Sequence, residues 1–80
     1  MKVLVIVSLK PTILDPQGST IQKVVSSLGF TSVDDLRQGK VFEIKLKNKL
    51  PKKLVREQIE KLAKEILINP VIEEYKILWK

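Results

Sequence analysis

Between Lys2 and Lys10 the apolar side chains Val3, Val5, Val7 and Leu9 alternate with Leu4 and Ile6, so the chain opens on a strand that is apolar on both faces. Helices can cover one face. In so short a chain the sheet of a second copy is the cover expected for the other. The period then changes: Ile21, Val24, Val25 and Leu28, at i, i+3, i+4 and i+7, predict a helix from Pro16 to Leu28, stopped by Gly29 in the left-handed conformation. Val33 to Gln38 reads as a short strand interrupted by Asp34 and Asp35. Gln38-Gly39 then offers a tight turn into Val41 to Lys47, where Phe42, Ile44 and Leu46 alternate with Glu43, Lys45 and Lys47. A second helix is predicted from near Pro51 to about Ile68, with Val55, Ile59, Leu62, Ala63, Ile66 and Leu67 as its buried stripe. Asn69-Pro70 should close it, with Asn69 left-handed, and Val71 to Trp79 forms the last strand.

The predicted order is βαββαβ within a single domain, residues 1–80. Right-handed crossovers would place both helices on one face of a mainly antiparallel four-stranded sheet, an α+β, ferredoxin-like two-layer sandwich. Its other face would still carry apolar residues. That face predicts a homodimer.

The ten residues Leu9 to Gly18 are written more rigidly than a surface loop requires. Pro11 and Pro16 fix their own φ and bias Lys10 and Asp15 away from helical geometry. Asp15 can cap the following helix, Pro16 suits its first position, and Gly18 lets another backbone approach. Such a loop, with Pro11, Ile13, Leu14, Gln17 and Gly18 displayed along it, is a candidate contact for a partner. A second candidate is the charged tip Arg37, Gly39 and Lys40, where a carboxylate or phosphate could be met.

The composition narrows the chemistry. With no cysteine and no histidine, disulfides and the usual zinc and haem ligand sets are excluded. Asp34-Asp35 and Glu73-Glu74 are neighbours that a strand would point to opposite faces, so neither makes a paired-carboxylate site. No catalytic residue, cofactor-binding residue or metal ligand emerges, and no autonomous active site is expected. A domain of this size without staples commonly gains its missing burial by oligomerising. Val3 to Val7 is too short to span a membrane, and no secretory leader is read, so a cytoplasmic location is expected.

The net charge of +6 rests on thirteen lysines and two arginines, and the lysine and glutamate bias resembles a thermophile's surface. Lys45, Lys47, Lys49, Lys52 and Lys53 form a run without an acidic residue, which reads as a solvated edge protected from aggregation. Phosphate binding is its alternative. An RNA-binding sheet would stack bases on aromatics of its central strands, but the first strand has none and Phe42 stands alone in the third.

Three separated stretches carry a family resemblance: Leu9-Lys10-Pro11 through Leu14-Asp15-Pro16-Gln17-Gly18, Asp35-Leu36-Arg37-Gln38-Gly39-Lys40, and Asn69-Pro70-Val71-Ile72-Glu73-Glu74-Tyr75. In these residues, their order and the chain's length, the sequence resembles the PurS family, the small subunit of phosphoribosylformylglycinamidine (FGAM) synthase. The resemblance implies a role in the step of purine biosynthesis that replaces the amide oxygen of formylglycinamide ribonucleotide with nitrogen from glutamine. It implies that a homodimer, or a tetramer, helps a large synthetase subunit and a glutaminase subunit come together, without doing the chemistry itself, and that it guards the path of ammonia. It further implies that ATP and Mg are used by the complex and that this chain binds no cofactor, nucleic acid or membrane. The competing reading is an ACT-like regulatory module that binds a small effector at a dimer interface.

Overall fold

A computed structural model describes residues 1–47 and 49–80. The elements, in chain order, are β1 (Lys2–Leu9), α1 (Pro16–Ser27), β2 (Gly39–Lys45), α2 (Lys52–Leu62) and β3 (Glu73–Trp79), with a π-helical turn, Ala63–Leu67, extending α2. β1 lies at the centre of an antiparallel sheet in the order β2-β1-β3. Val3, Val5 and Val7 stand opposite Ile44, Phe42 and Lys40 on one side and Trp79, Ile77 and Tyr75 on the other. This face is the core: Val55, Ile59 and Ala63, one α2 turn apart, close over the three buried valines.

The sheet has three strands among the described residues, not four. Residues 33–38 form no strand, so the expected hairpin and its tight turn at Gln38-Gly39 are absent. Their polar groups bond elsewhere: the Asp34 carbonyl accepts from Gln22 Nε2 at 2.6 Å, and the Gln38 N–H donates to Asp15 Oδ2 at 2.6 Å. With those groups committed to α1 and its cap, the segment runs beside the helix instead of pairing in the sheet.

Nor do both helices cover one face. Only α2 packs against the buried strand face. In α1 the sole buried residue is Gly18, and Ile21, Val24 and Leu28 remain 41%, 52% and 70% exposed. The helix and its return segment form an arm, and the molecule measures 51 × 25 × 14 Å. Gly29 ends α1 as expected, with φ 95° and the Phe30 N–H donating to the Val25 carbonyl.

The end of α2 differs from its predicted form. Ile66 is exposed because the π-helical turn after Ala63 carries fewer degrees of rotation per residue and takes Ile66 off the stripe, while Leu67 stays against the core. Asn69 is not left-handed. Its side chain instead accepts the Val71 N–H at 3.1 Å, an Asx turn, and its N–H donates to Glu73 Oε1 at 2.7 Å.

One polar contact ties α2 to β3: Tyr75 Oη donates to Glu60 Oε2 at 2.6 Å. Glu60 accepts this bond and repels a phenolate, which pushes the Tyr75 pKa up to about 12. A raised folded-state pKa means the contact stabilises fully below the ordinary tyrosine value near 10 and is lost as pH rises toward 12. Urea midpoints measured at pH 8 and pH 11 should therefore fall more for the wild type than for Tyr75→Phe. Equal falls would show that the contact is energetically idle.

Candidate functional site

The rigid loop and the Arg37 segment, joined by hydrogen bonds that span 21 to 27 residues of sequence, form one structure. After β1 the chain turns at Lys10, whose carbonyl accepts from the Ile13 N–H at 2.9 Å. Three carbonyls of this turn point at one guanidinium: Arg37 Nη2 donates to Ile13 at 2.8 Å and Lys10 at 3.3 Å, and Nη1 donates to Pro11 at 3.4 Å. Arginine's planar fork suits such a set, whereas lysine offers a single point of charge.

Asp15 joins the loop to both neighbours. Its Oδ1 accepts the Gly18 N–H at 3.0 Å, the capping bond expected from the sequence, and its Oδ2 accepts the Gln38 N–H. Gln38 Nε2 also donates to Gln17 Oε1 at 2.8 Å. Gly18 is buried because this junction leaves no room: a Cβ there would strike the Asp15 carboxylate and lie 2.7 Å from the Leu36 carbonyl. Gly39 sits in β2 rather than at a turn, and a Cβ on it would meet the Val7 carbonyl at 2.5 Å.

The predicted charged tip is divided between two tasks. Arg37 braces the loop, while Lys40 pairs with Glu73 on β3 at 3.7 Å and lies 5.6 Å from the Phe42 ring. The two cations therefore do not converge on one ligand. Of the loop's apolar residues, Ile13 is half-buried and Leu14 is 89% exposed. Pro11 and Gln17 are exposed, so the loop's outer surface is Pro11, Leu14 and Gln17, held from behind by Arg37 and Asp15.

The Gln38 N–H, the Gly18 N–H and, more weakly, Arg37 hold the Asp15 carboxyl below its usual range, against a smaller opposing effect of desolvation. For a depressed carboxyl the stabilisation is present above the ordinary value near 3.9 and is lost as pH falls through the folded-state value. Asparagine can keep the cap without the charge. Thermal unfolding from pH 5 to pH 2.5 should accordingly be steeper for the wild type than for Asp15→Asn; parallel curves would remove Asp15 from the acid response.

A cleft of about 270 Å³ runs between this junction and the sheet, lined in part by Val7, Ser8, Asp15, Gln38, Lys40 and Glu73. Its carboxylates are occupied: Asp15 by two backbone N–H groups, Glu73 by Lys40 and the Asn69 N–H. Among the described residues no group of three or more His, Cys, Asp or Glu side chains could hold a metal ion. The geometry suits a braced surface for a partner better than a reaction centre.

The sequence pattern of a family described as phosphoribosylformylglycinamidine (FGAM) synthase, PurS, matches residues 2–80. The chain belongs to the PurS family. The PurS subunit of FGAM synthase from Methanocaldococcus jannaschii is 38% identical over 76 residues, covering 95% of this chain and 90% of the relative. That from Bacillus subtilis is 43% identical over 77 residues, 94% and 87% of the two chains. Among solved structures, M. jannaschii PurS, one of the subunits of formylglycinamide ribonucleotide amidotransferase, superposes with a TM-score of 0.82 at 36% identity, covering 96% of this chain and 92% of that one. A chain in the structure of PurLQS from Thermotoga maritima superposes with a TM-score of 0.87 at 31% identity, covering 96% and 93%.

In this family setting the loop, the Arg37 segment and the residues after α2, whose motifs carried the resemblance, are the parts that the fold joins by hydrogen bonds at one end of the sheet: Arg37 to Ile13, Gln38 to Asp15, and the Lys10 N–H to the Ile72 carbonyl. Sequence reasoning missed the second oxygen of Asp15 and the Gln17–Gln38 pair. The only signal for them was Asp15's spare acceptor, whose donor lies 23 residues away. No helix among the described residues is long and apolar enough to cross a membrane.

Proposed function

We propose that this chain is the non-catalytic small subunit of phosphoribosylformylglycinamidine synthase and acts in purine biosynthesis as part of a cytoplasmic, glutamine-dependent ligase. The observation that carries the reading is the family match across residues 2–80, in a chain whose carboxylates at the candidate site are committed to structural bonds. The large synthetase subunit binds ATP with Mg and the ribonucleotide; the glutaminase subunit releases ammonia. This chain brings the two together and shields ammonia in transit. It presents the outer surface of the braced loop, Pro11, Leu14 and Gln17, to one of them, with Arg37 and Gly18 positioning that surface from within.

The working unit is a homodimer. α1 supports this, because Ile21, Val24 and Leu28 make an apolar stripe that no part of the same chain covers among the described residues. A second copy of a chain this small offers the burial that the arm lacks.

The test compares glutamine-dependent with ammonia-dependent synthesis by the other two subunits, with and without this chain. Leaving it out should lower the glutamine-dependent rate by about tenfold or more, a barrier change of at least about 1.4 kcal/mol, while the ammonia-dependent rate changes little. An unchanged glutamine-dependent rate would sink the coupling role.

A further inference from the structure

The strands bring separate basic segments to one end of the molecule. β1 begins there, and β2 and β3 finish there: the Leu46 N–H donates to the Met1 carbonyl and the Lys80 N–H to the Lys2 carbonyl, each at 2.9 Å. The start of α2 joins them, since Met1, Lys52, Val55, Arg56, Trp79 and Lys80 line a single hollow of about 200 Å³. With their immediate chain neighbours, these ends bring together Lys2, Lys45, Lys47, Lys49, Lys52, Lys53, Arg56 and Lys80, eight of the fifteen cationic side chains, against Glu43 and Glu57, two of the nine carboxylates. The remaining seven cations and seven carboxylates cancel. The whole side-chain net charge of +6 therefore resides at this end, and Glu43 there is already paired with Lys2 at 3.3 Å.

The concentration is unfavourable for the isolated chain. α2 begins with Lys52 and Lys53, has no acidic residue in its first turn and no side-chain cap, so like charge is placed on the positive end of the helix. On the α2 side of this end Trp79 is 39% exposed, with the Arg56 guanidinium 5.8 Å from its ring and Lys52 and Lys80 lining the same hollow, while Lys2 and Lys45 alternate onto the other face of the sheet. A half-exposed tryptophan and an arginine with lysines beside them have the make-up of a protein interface centre and its charged rim.

We propose that this basic end is a docking surface for a carboxylate-rich face of another subunit of the synthase complex, an inference that rests on the function proposed above. It lies at the opposite end of β1 from the braced loop, so one copy can engage two surfaces at once. A single-stranded nucleic acid is the less suitable occupant, because it would stack several bases on exposed aromatics and this end offers Trp79 alone, with one approach to its ring taken by Arg56. Charge of one sign gathered at a docking face raises the association rate and makes it salt-dependent.

The experiment measures association of the full-length chain with the synthetase and glutaminase subunits from 50 to 300 mM salt. It uses the wild type, the basic-end variant Lys47→Glu/Lys52→Glu/Lys80→Glu, and a control of equal net charge, Lys23→Glu/Lys61→Glu/Lys64→Glu, all six positions being exposed. Circular dichroism melts establish that each variant folds. The basic-end variant should associate about tenfold or more slowly at low salt and lose most of its salt dependence, while the control stays near the wild type. Equal losses in both variants would mean bulk charge alone and overturn the proposal, as would wild-type rates in both. Binding of a mixed-sequence RNA by the wild type, abolished in the basic-end variant while subunit association is unchanged, would assign the surface to nucleic acid instead. A wild-type chain that captures neither subunit would overturn the functional reading itself, whereas normal capture by every variant defeats only the docking surface.

Discussion

Gly18→Ala should destabilise the protein by about 1 to 3 kcal/mol, the usual cost of forcing an extra methyl into a packed site. In an ordinary helix the same change would be stabilising, because glycine costs roughly 0.5 to 1 kcal/mol relative to alanine in a helix interior. Two effects of opposite sign thus compete at the third residue of α1. The geometry decides between them: the new Cβ would overlap the Asp15 carboxylate that caps the helix and stand 2.7 Å from the Leu36 carbonyl, a backbone atom that cannot rotate away. Displacing Asp15 would also release the Gln38 N–H, so the Arg37 segment would loosen with the cap. Urea unfolding at matched protomer concentration gives the sign directly. A variant as stable as the wild type, or more so, would show that the junction has slack.

Ile21→Asp/Val24→Asp should convert the proposed homodimer to a monomer. Both side chains lie on the uncovered stripe of α1, 41% and 52% exposed, so the substitution removes no contact from the core around Val3, Val5 and Val7. Burying two carboxylates in an apolar contact would cost several kcal/mol per ion, more than a standard interface can offset at micromolar concentration. Light scattering coupled to size exclusion should read about twice the chain mass of 9.2 kDa for the wild type and that mass once for the variant. A dimeric variant would move the interface to the open sheet face, where Leu4 and Ile6 are half-buried and Val41 and Leu78 exposed. A monomeric wild type would remove the homodimer altogether.

These two tests concern features that the sequence conveys unequally. The cap was legible, since Asp15-Pro16 followed by Gly18 has one local reading as a helix start, and the structure has that bond at 3.0 Å. The need for Gly18 was legible as a close approach, but which backbone approaches was not, because Leu36 lies 18 residues further on. Residues 33–38 misled for a related reason. Val33 and Leu36 with a following glycine satisfy a strand and turn pattern, yet strand formation needs a neighbour with free backbone groups. Here Gln22 and Asp15 take the Asp34 carbonyl and the Gln38 N–H first. The tip residues Arg37 and Lys40 looked like a pair of free charges. The fold sends them to different partners, one to three loop carbonyls and the other to Glu73.

By itself, the sequence determined what depends on periodicity and on local stereochemistry. The alternation in β1, β2 and β3, the four-residue spacing of Val55, Ile59 and Ala63, the proline-flanked loop and the Gly29 stop each follow from a few neighbouring residues. The motifs at Asp15 to Gly18, Asp35 to Lys40 and Asn69 to Tyr75 also sufficed to indicate the family. Tertiary structure alone decided that, among the described residues, the sheet has three strands and α1 leaves it as an arm with an uncovered stripe, that Arg37 braces the first loop, and that all the net charge gathers at one end. Each of these depends on which distant group reaches a donor, an acceptor or an apolar face first. That competition is settled in space, between residues whose separation along the chain carries no periodic signal.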